Sequence, residues 1–137
     1  MVPKIAKRYA GKINVQYFFF PLDKACNSKM TQDVHPYACQ AAYVAACSGD
    51  NFEAVHDDIF ENQHKLSFEW LKNKAKKLGV EECVNSKETT DRVVSYINQG
   101  NSFSVRSTPT LLINGKRIDG LLPLKQIYVL LDHLLKK

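Results

Sequence analysis

Two adjacent residues near the end of the chain, Asn114 and Gly115, constrain its fold most. A two-residue hairpin loop of type I′ needs positive φ at both central positions, and Asn-Gly supplies that at the lowest steric cost. The pair is flanked by Leu111 to Ile113 and by Arg117 to Asp119, each of strand length. Ser107-Thr108-Pro109-Thr110 leads into the first strand. After the second, Pro123 to about Leu135 sets Leu124, Ile127, Tyr128, Leu131, Leu134 and Leu135 on one face of a helix. The C-terminal part therefore predicts loop, strand, turn, strand, helix.

Upstream, Ile5 to about Tyr9 reads as a helix end, with Gly11 as its stop. Ile13 to Phe20 is aliphatic and aromatic, of strand length, and ends at Pro21. Leu22 to Val34 is polar and irregular. Four helical segments follow. Pro36 to Cys47 is alanine-rich, with Pro36 suited to a first turn. Asn51 to Asn62 places Phe52, Val55, Ile59 and Phe60 at helical spacing, behind a capping-box-like Asp50 and Glu53. Ser67 caps Phe68 to Leu78, which Gly79 ends, and Ser86 caps a segment to about Asn98, with Gly100 beyond it. The pattern is α/β with a helical insertion at about 35–100 in a single domain, 1–137.

No apolar run approaches the roughly 20 residues of a membrane helix, and the N-terminus carries no signal-peptide pattern. The net charge is +5, with basic residues in small groups, among them Lys72, Lys74, Lys76 and Lys77. Aromatics are not interleaved with them as stacking platforms, which argues against nucleic acid as a partner. No nucleotide-binding glycine motif, phosphate loop or Ser-His-Asp order occurs, and no cofactor is implied.

The cysteines are Cys26, Cys39, Cys47 and Cys83, with no Cys-x-x-Cys and no zinc-ribbon spacing, so no metal site is expected. Cys39 and Cys47 lie on one predicted helix, about 12 Å of rise apart, too far for a disulfide. Cys26, in the irregular loop, can reach Cys39, or else Cys47. A structural Cys26–Cys39 bridge, free buried thiols and a redox-active pair all remain open. Cys83 is expected to pack as a small apolar residue. Cys39 lies near a helix start, where the dipole favours a thiolate, and is the candidate substitute nucleophile, with His35 just upstream. His56, beside Asp57 and Asp58, is expected to be a partly buried residue of a packed helix, and His64 and His133 belong to no constellation.

Several segments resemble the DsbA-like branch of the thioredoxin-fold thiol–disulfide oxidoreductases: Ala6-Lys7-Arg8-Tyr9-Ala10-Gly11-Lys12-Ile13-Asn14-Val15, Phe20-Pro21-Leu22-Asp23, His56-Asp57-Asp58-Ile59-Phe60, and Val105-Arg106-Ser107-Thr108-Pro109-Thr110 with Ile113-Asn114-Gly115. Pro21-Leu22-Asp23 through Cys26-Asn27, then His35-Pro36 and Ala38-Cys39, are most similar to DsbA-like domains found alone or fused to vitamin K epoxide reductase-like membrane proteins. The resemblance implies a cis Thr108–Pro109 bond, with Ser107, Thr108 and Pro109 receiving extended substrate. It implies thiol–disulfide exchange on exported proteins, an extracytoplasmic location, and protein thiols, disulfides or extended peptides as partners, with a membrane redox protein among them.

In that family a strand and Cys-x-x-Cys precede the segment resembling Ile5-Ala6-Lys7-Arg8-Tyr9, and this chain has no counterpart of either. Exchange is expected to be impaired or absent in it. The alternative is a non-catalytic peptide-binding or assembly module that keeps the proline groove. The absent strand belongs between Ile13–Phe20 and Thr110–Ile113. Three outcomes are open: direct pairing of those two, self-association through the exposed edge, or a chain trimmed from a longer protein.

Overall fold

The hairpin forms where Asn114-Gly115 places it. In the computed structural model, which describes residues 1–136, β1 (Thr110–Ile113) pairs antiparallel with β2 (Lys116–Asp119), Leu111 opposite Ile118 and Ile113 opposite Lys116. Asn114 has φ +50° and Gly115 φ +78°, the positive pair that a type I′ turn requires. The chain divides into two compact units, one of Met1–Tyr17 with the segment from Phe103 onward, the other of Phe18–Ser102.

The first unit holds the hairpin, α1 (Val2–Arg8) and α7 (Leu124–Leu135). Its core is Ile5 and Tyr9 against Ile127 and Leu131, with Ile13, Leu111 and Ile113 packed on them. Leu111 and Ile113 share one face of β1, and the intervening Leu112 is exposed, the period-2 alternation of a strand covered on one side. Ile127 is almost fully buried, worth about 2–3 kcal/mol in apolar transfer. Leu135, placed on the packed face by its spacing, is exposed in the last turn of α7.

The second unit is built around α2 (Ala38–Ala46), of whose residues Cys39, Ala41, Ala42, Val44, Ala45 and Ala46 are buried. Small side chains let helices approach it on two sides. Ala41, Val44 and Ala45 meet Val55 of α3 (Phe52–Glu61), Leu71 and Ala75 of α4 (Phe68–Leu78) and Val84 of α5 (Glu81–Val84). Ala42 and Ala46 meet Val93 and Ile97 of α6 (Lys87–Ser102). Ser67 caps α4, its Oγ accepting the Trp70 N–H at 3.0 Å, and Gly79 ends it in the left-handed region at φ +70°.

Four expectations are corrected. Ile13–Phe20 forms no strand: among the described residues β1 and β2 pair only with each other, so the direct pairing of Ile13–Phe20 with Thr110–Ile113 does not occur. A strand exists by its ladder, and this segment has none. Phe18 and Phe19 instead turn onto helices of the second unit, each edge-on to Tyr96, with Phe19 also edge-on to Phe52. Pro36 lies outside α2, which starts two residues later behind a turn closed by the Ala38 N–H on the His35 carbonyl. Asp50 and Glu53 do not cap α3, because the 3₁₀ turn Gly49–Asn51 leads the chain into it. Finally, α6 continues through Gly100 to Ser102, since the Phe20 ring occupies the space beside Gly100 that a side chain would fill.

Candidate functional site

In the first unit, the loop ahead of β1 is held at both ends. The Arg117 guanidinium donates from Nη1 to the carbonyls of Phe103, at 3.2 Å, and Ser104, at 2.6 Å, and its Nε meets Asp119 at 3.1 Å. At the other end Thr110 Oγ1 donates to the Ser107 carbonyl at 2.6 Å, and the Gly120 N–H reaches the Pro109 carbonyl at 3.1 Å, continuing the hairpin by one rung. Between these anchors Ser107, Thr108 and Pro109 are exposed, and the Thr108–Pro109 peptide is cis. The Thr108 backbone makes no hydrogen bond among the described residues. A fixed, exposed stretch with free main-chain groups can hydrogen-bond an extended polypeptide.

The second unit holds all four cysteines. Cys26 is bonded to Cys39, with Cα atoms 6.0 Å apart. Asp23, itself buried, organises this bridge: its Oδ2 accepts the Cys39 N–H at 3.0 Å and its Oδ1 the Ala25 N–H at 2.9 Å. Asn27, also buried, donates from Nδ2 to the Pro21 carbonyl at 3.1 Å. Cys39 is the second residue of α2 and only 3% exposed. With its sulfur bonded to Cys26 it presents no thiolate, and His35 is exposed, its backbone N–H bonded to the Leu22 carbonyl.

Cys83 overturns an expectation. Rather than packing as a free apolar residue, it is exposed and bonded to Cys47, tying the end of α2 to α5. The reason is the one-turn helix α5, which the sequence reading lacked and which brings Cys83 beside the last turn of α2. Elimination carried the signal: Cys26 with Cys39 leaves Cys47 and Cys83 as a pair. Thr89, buried, lies against both sulfurs, its Oγ1 3.4 Å from Cys47 Sγ and 3.5 Å from Cys83 Sγ, and donates to the Cys83 carbonyl at 2.7 Å.

His56 lies between Phe52 and Phe60 on α3, its ring tilted by 42° to each, with Nδ1 3.2 Å from the exposed Asp57 carboxylate. It is partly buried on a packed helix. Asp58 is turned to Lys74 and Asn62.

Residues 2–133 match the family model described as Thioredoxin. The chain belongs to the thioredoxin family. It is DsbA-like, an α/β thioredoxin-like fold with a helical insertion. It is 26% identical over 129 residues to the "Probable disulfide bond formation protein D" of Bacillus cereus, a match covering 84% of this chain and 56% of that protein. It is 32% identical over 95 residues to the "Na(+)/H(+) antiporter NhaA 1" of Salinispora arenicola, covering 64% of this chain and 15% of the antiporter. The chain thus spans less than two thirds of either relative. No solved structure matches. No helix among the described residues is long and apolar enough to cross a membrane.

Proposed function

We propose that this thioredoxin-family chain is the DsbA-like domain of an extracytoplasmic thiol–disulfide exchange protein, and that Ser107-Thr108-Pro109 receives an extended segment of a cysteine-containing protein. The observation that carries the reading is the exposed loop whose Thr108 backbone is free of partners between anchored ends. The relative named for disulfide bond formation supports the chemistry, and two disulfides suit an oxidising compartment. Exchange of this kind proceeds by thiolate attack on a disulfide and resolution of the mixed disulfide by a second thiol. The 137 residues contain no Cys-x-x-Cys, and their four cysteines are paired with one another. By itself this chain therefore turns over protein disulfides slowly or not at all.

That same pairing favours a second reading, a peptide-binding or assembly module without catalysis. Its partners are extended peptides, a membrane redox protein, or another copy meeting the unpaired edges of the hairpin. Titrating the isotope-labelled chain with an unstructured peptide bearing a blocked cysteine tests the shared element. Amide shifts confined to Ser107, Thr108 and Thr110 are expected, and saturating peptide without shifts there refutes the loop. A parallel insulin-reduction assay separates the readings: binding without turnover supports the module, and turnover the oxidoreductase.

A further inference from the structure

The two disulfides differ in access. Cys26 and Cys47 are both half-buried, so the difference lies in their partners: Cys39 is buried, whereas Cys83 is exposed and lines a groove of about 600 Å³ with Gly79, Glu82, Ser86, Glu88 and Arg92. Cys47 is not part of that groove. We propose that Cys47–Cys83 is an exchangeable redox couple, opened from the groove by a small thiol that carries both a carboxylate and an ammonium group. Glu82, Glu88 and Arg92 give the groove both signs of charge for such a molecule.

The route of the electrons follows from which sulfur is reached. A thiolate attacks Cys83 Sγ, the new sulfur–sulfur bond forms there, and the Cys83–Cys47 bond breaks. The electron pair leaves on Cys47 Sγ, which takes a proton from water. A second thiolate attacks the small thiol's sulfur in the mixed disulfide, and Cys83 leaves as a thiolate and is protonated. Two thiols become one disulfide, and the cystine becomes two cysteines. Thr89 Oγ1 lies 3.4 Å from Cys47 Sγ and donates its one proton to the Cys83 carbonyl; as the bridge opens, the hydroxyl turns that proton to the departing thiolate. It is a positioning residue of the couple. Opening the bridge frees α5, a single turn, from the end of α2, so the redox state of the small-thiol pool is read out in the helical unit, independently of the Ser107-Thr108-Pro109 loop.

The test is stepwise reduction of the intact chain by glutathione, with acid quenching, alkylation and peptide mapping, followed beside the helical circular dichroism. The expected result is opening of Cys47–Cys83 at least roughly tenfold faster than Cys26–Cys39, with the glutathione adduct on Cys83 and the helical signal retained. Prior opening of Cys26–Cys39, an adduct on Cys47, or reduction only as the helical signal is lost overturns the proposal. Per thiolate, glutathione should outpace the uncharged 2-mercaptoethanol, and equal rates overturn the assigned ligand class. Thr89→Val should slow opening of Cys47–Cys83 several-fold and leave Cys26–Cys39 unchanged, and an unchanged rate removes Thr89 from the couple. If that variant does not fold, the mapping on the unaltered chain decides.

Discussion

Tyr9 Oη donates to Asp132 Oδ1 at 2.7 Å, joining the end of α1 to α7 across more than a hundred residues of sequence. Arg8 completes the junction, its Nη2 3.1 Å from Asp132 Oδ2 and its guanidinium 4.3 Å from the centre of the Tyr128 ring. The arrangement closes the polar rim of a core whose apolar members are Ile5, Ile127 and Leu131. Each helix is short, and packing against the other supplies what its own turns do not.

The Tyr9–Asp132 bond makes the stability of the first unit depend on pH at both extremes. The hydrogen bond from Tyr9, with Arg8 adding its charge, holds the Asp132 carboxyl below its ordinary value of 3.8. A depressed folded-state value adds stability above the unfolded value, and that contribution is lost as pH falls through the folded one. Burial, then the bond to Asp132, raises Tyr9 above 10.0. A raised folded value adds stability below the unfolded value, lost as pH rises through the folded one. Asp132→Asn and Tyr9→Phe should therefore cost most near neutrality, and their penalties should shrink below about pH 4 and above about pH 10 respectively. Urea midpoints across that range check this, and a penalty independent of pH refutes it.

Gly100→Ala should destabilise the second unit although it sits in a helix. Propensity alone favours alanine by about 1 kcal/mol. A Cβ there meets Phe20 Cδ2 at 2.6 Å and Cε2 at 2.8 Å, however. Overpacking of this kind costs about 1–3 kcal/mol, so a net loss of about 1 kcal/mol is expected. Phe20→Leu, which removes the ring, should make Gly100→Ala neutral or stabilising, and a double-mutant cycle measured by urea denaturation reads the coupling.

Local chemistry was legible where it needed no distant partner. Asn114-Gly115 gave the turn, Ser67 and Gly79 the ends of α4, and the spacing of Ile127 and Leu131 the buried face of α7. Ile13–Phe20 misled because its composition suits a strand, yet its ladder depends on neighbours that composition does not report. Gly100 read as a stop because its close approach to Phe20 is visible only in three dimensions. Of the site, the proline loop was legible, but the Cys47–Cys83 pair was not, because a four-residue helix sets its geometry.

Asp23→Ala should loosen the start of α2. The carboxylate accepts two backbone N–H groups, and the Cys39 N–H is buried with it. Removing the acceptor leaves that donor unsatisfied, at about 1–3 kcal/mol. Asp23→Asn keeps one side-chain acceptor and should lose less. Thermal denaturation of both variants with the Cys26–Cys39 bridge intact measures the difference, and equal losses would show that the charge rather than the acceptors matters.

Removing each disulfide should separate tethering from packing. The bridges close spans of 13 and 36 residues, for which restricting the unfolded chain is worth about 3 and about 4 kcal/mol. The double substitution Cys26→Ala with Cys39→Ala also empties a buried position, which brings its cost close to that of Cys47→Ala with Cys83→Ala. The two should nevertheless differ in where protection is lost. Without Cys47–Cys83, α5 keeps Val84 in the core, the Ser86 and Thr89 hydroxyls on the Cys83 carbonyl, and backbone bonds such as Val84 N–H to the Val80 carbonyl. Hydrogen exchange at Val84 and Asn85 should accelerate while that at Val44 and Leu71 changes only by the global loss of stability. Uniform acceleration throughout the second unit would mean that α5 is part of the same cooperative unit as α2, held there by Val84 rather than by the sulfur bridge.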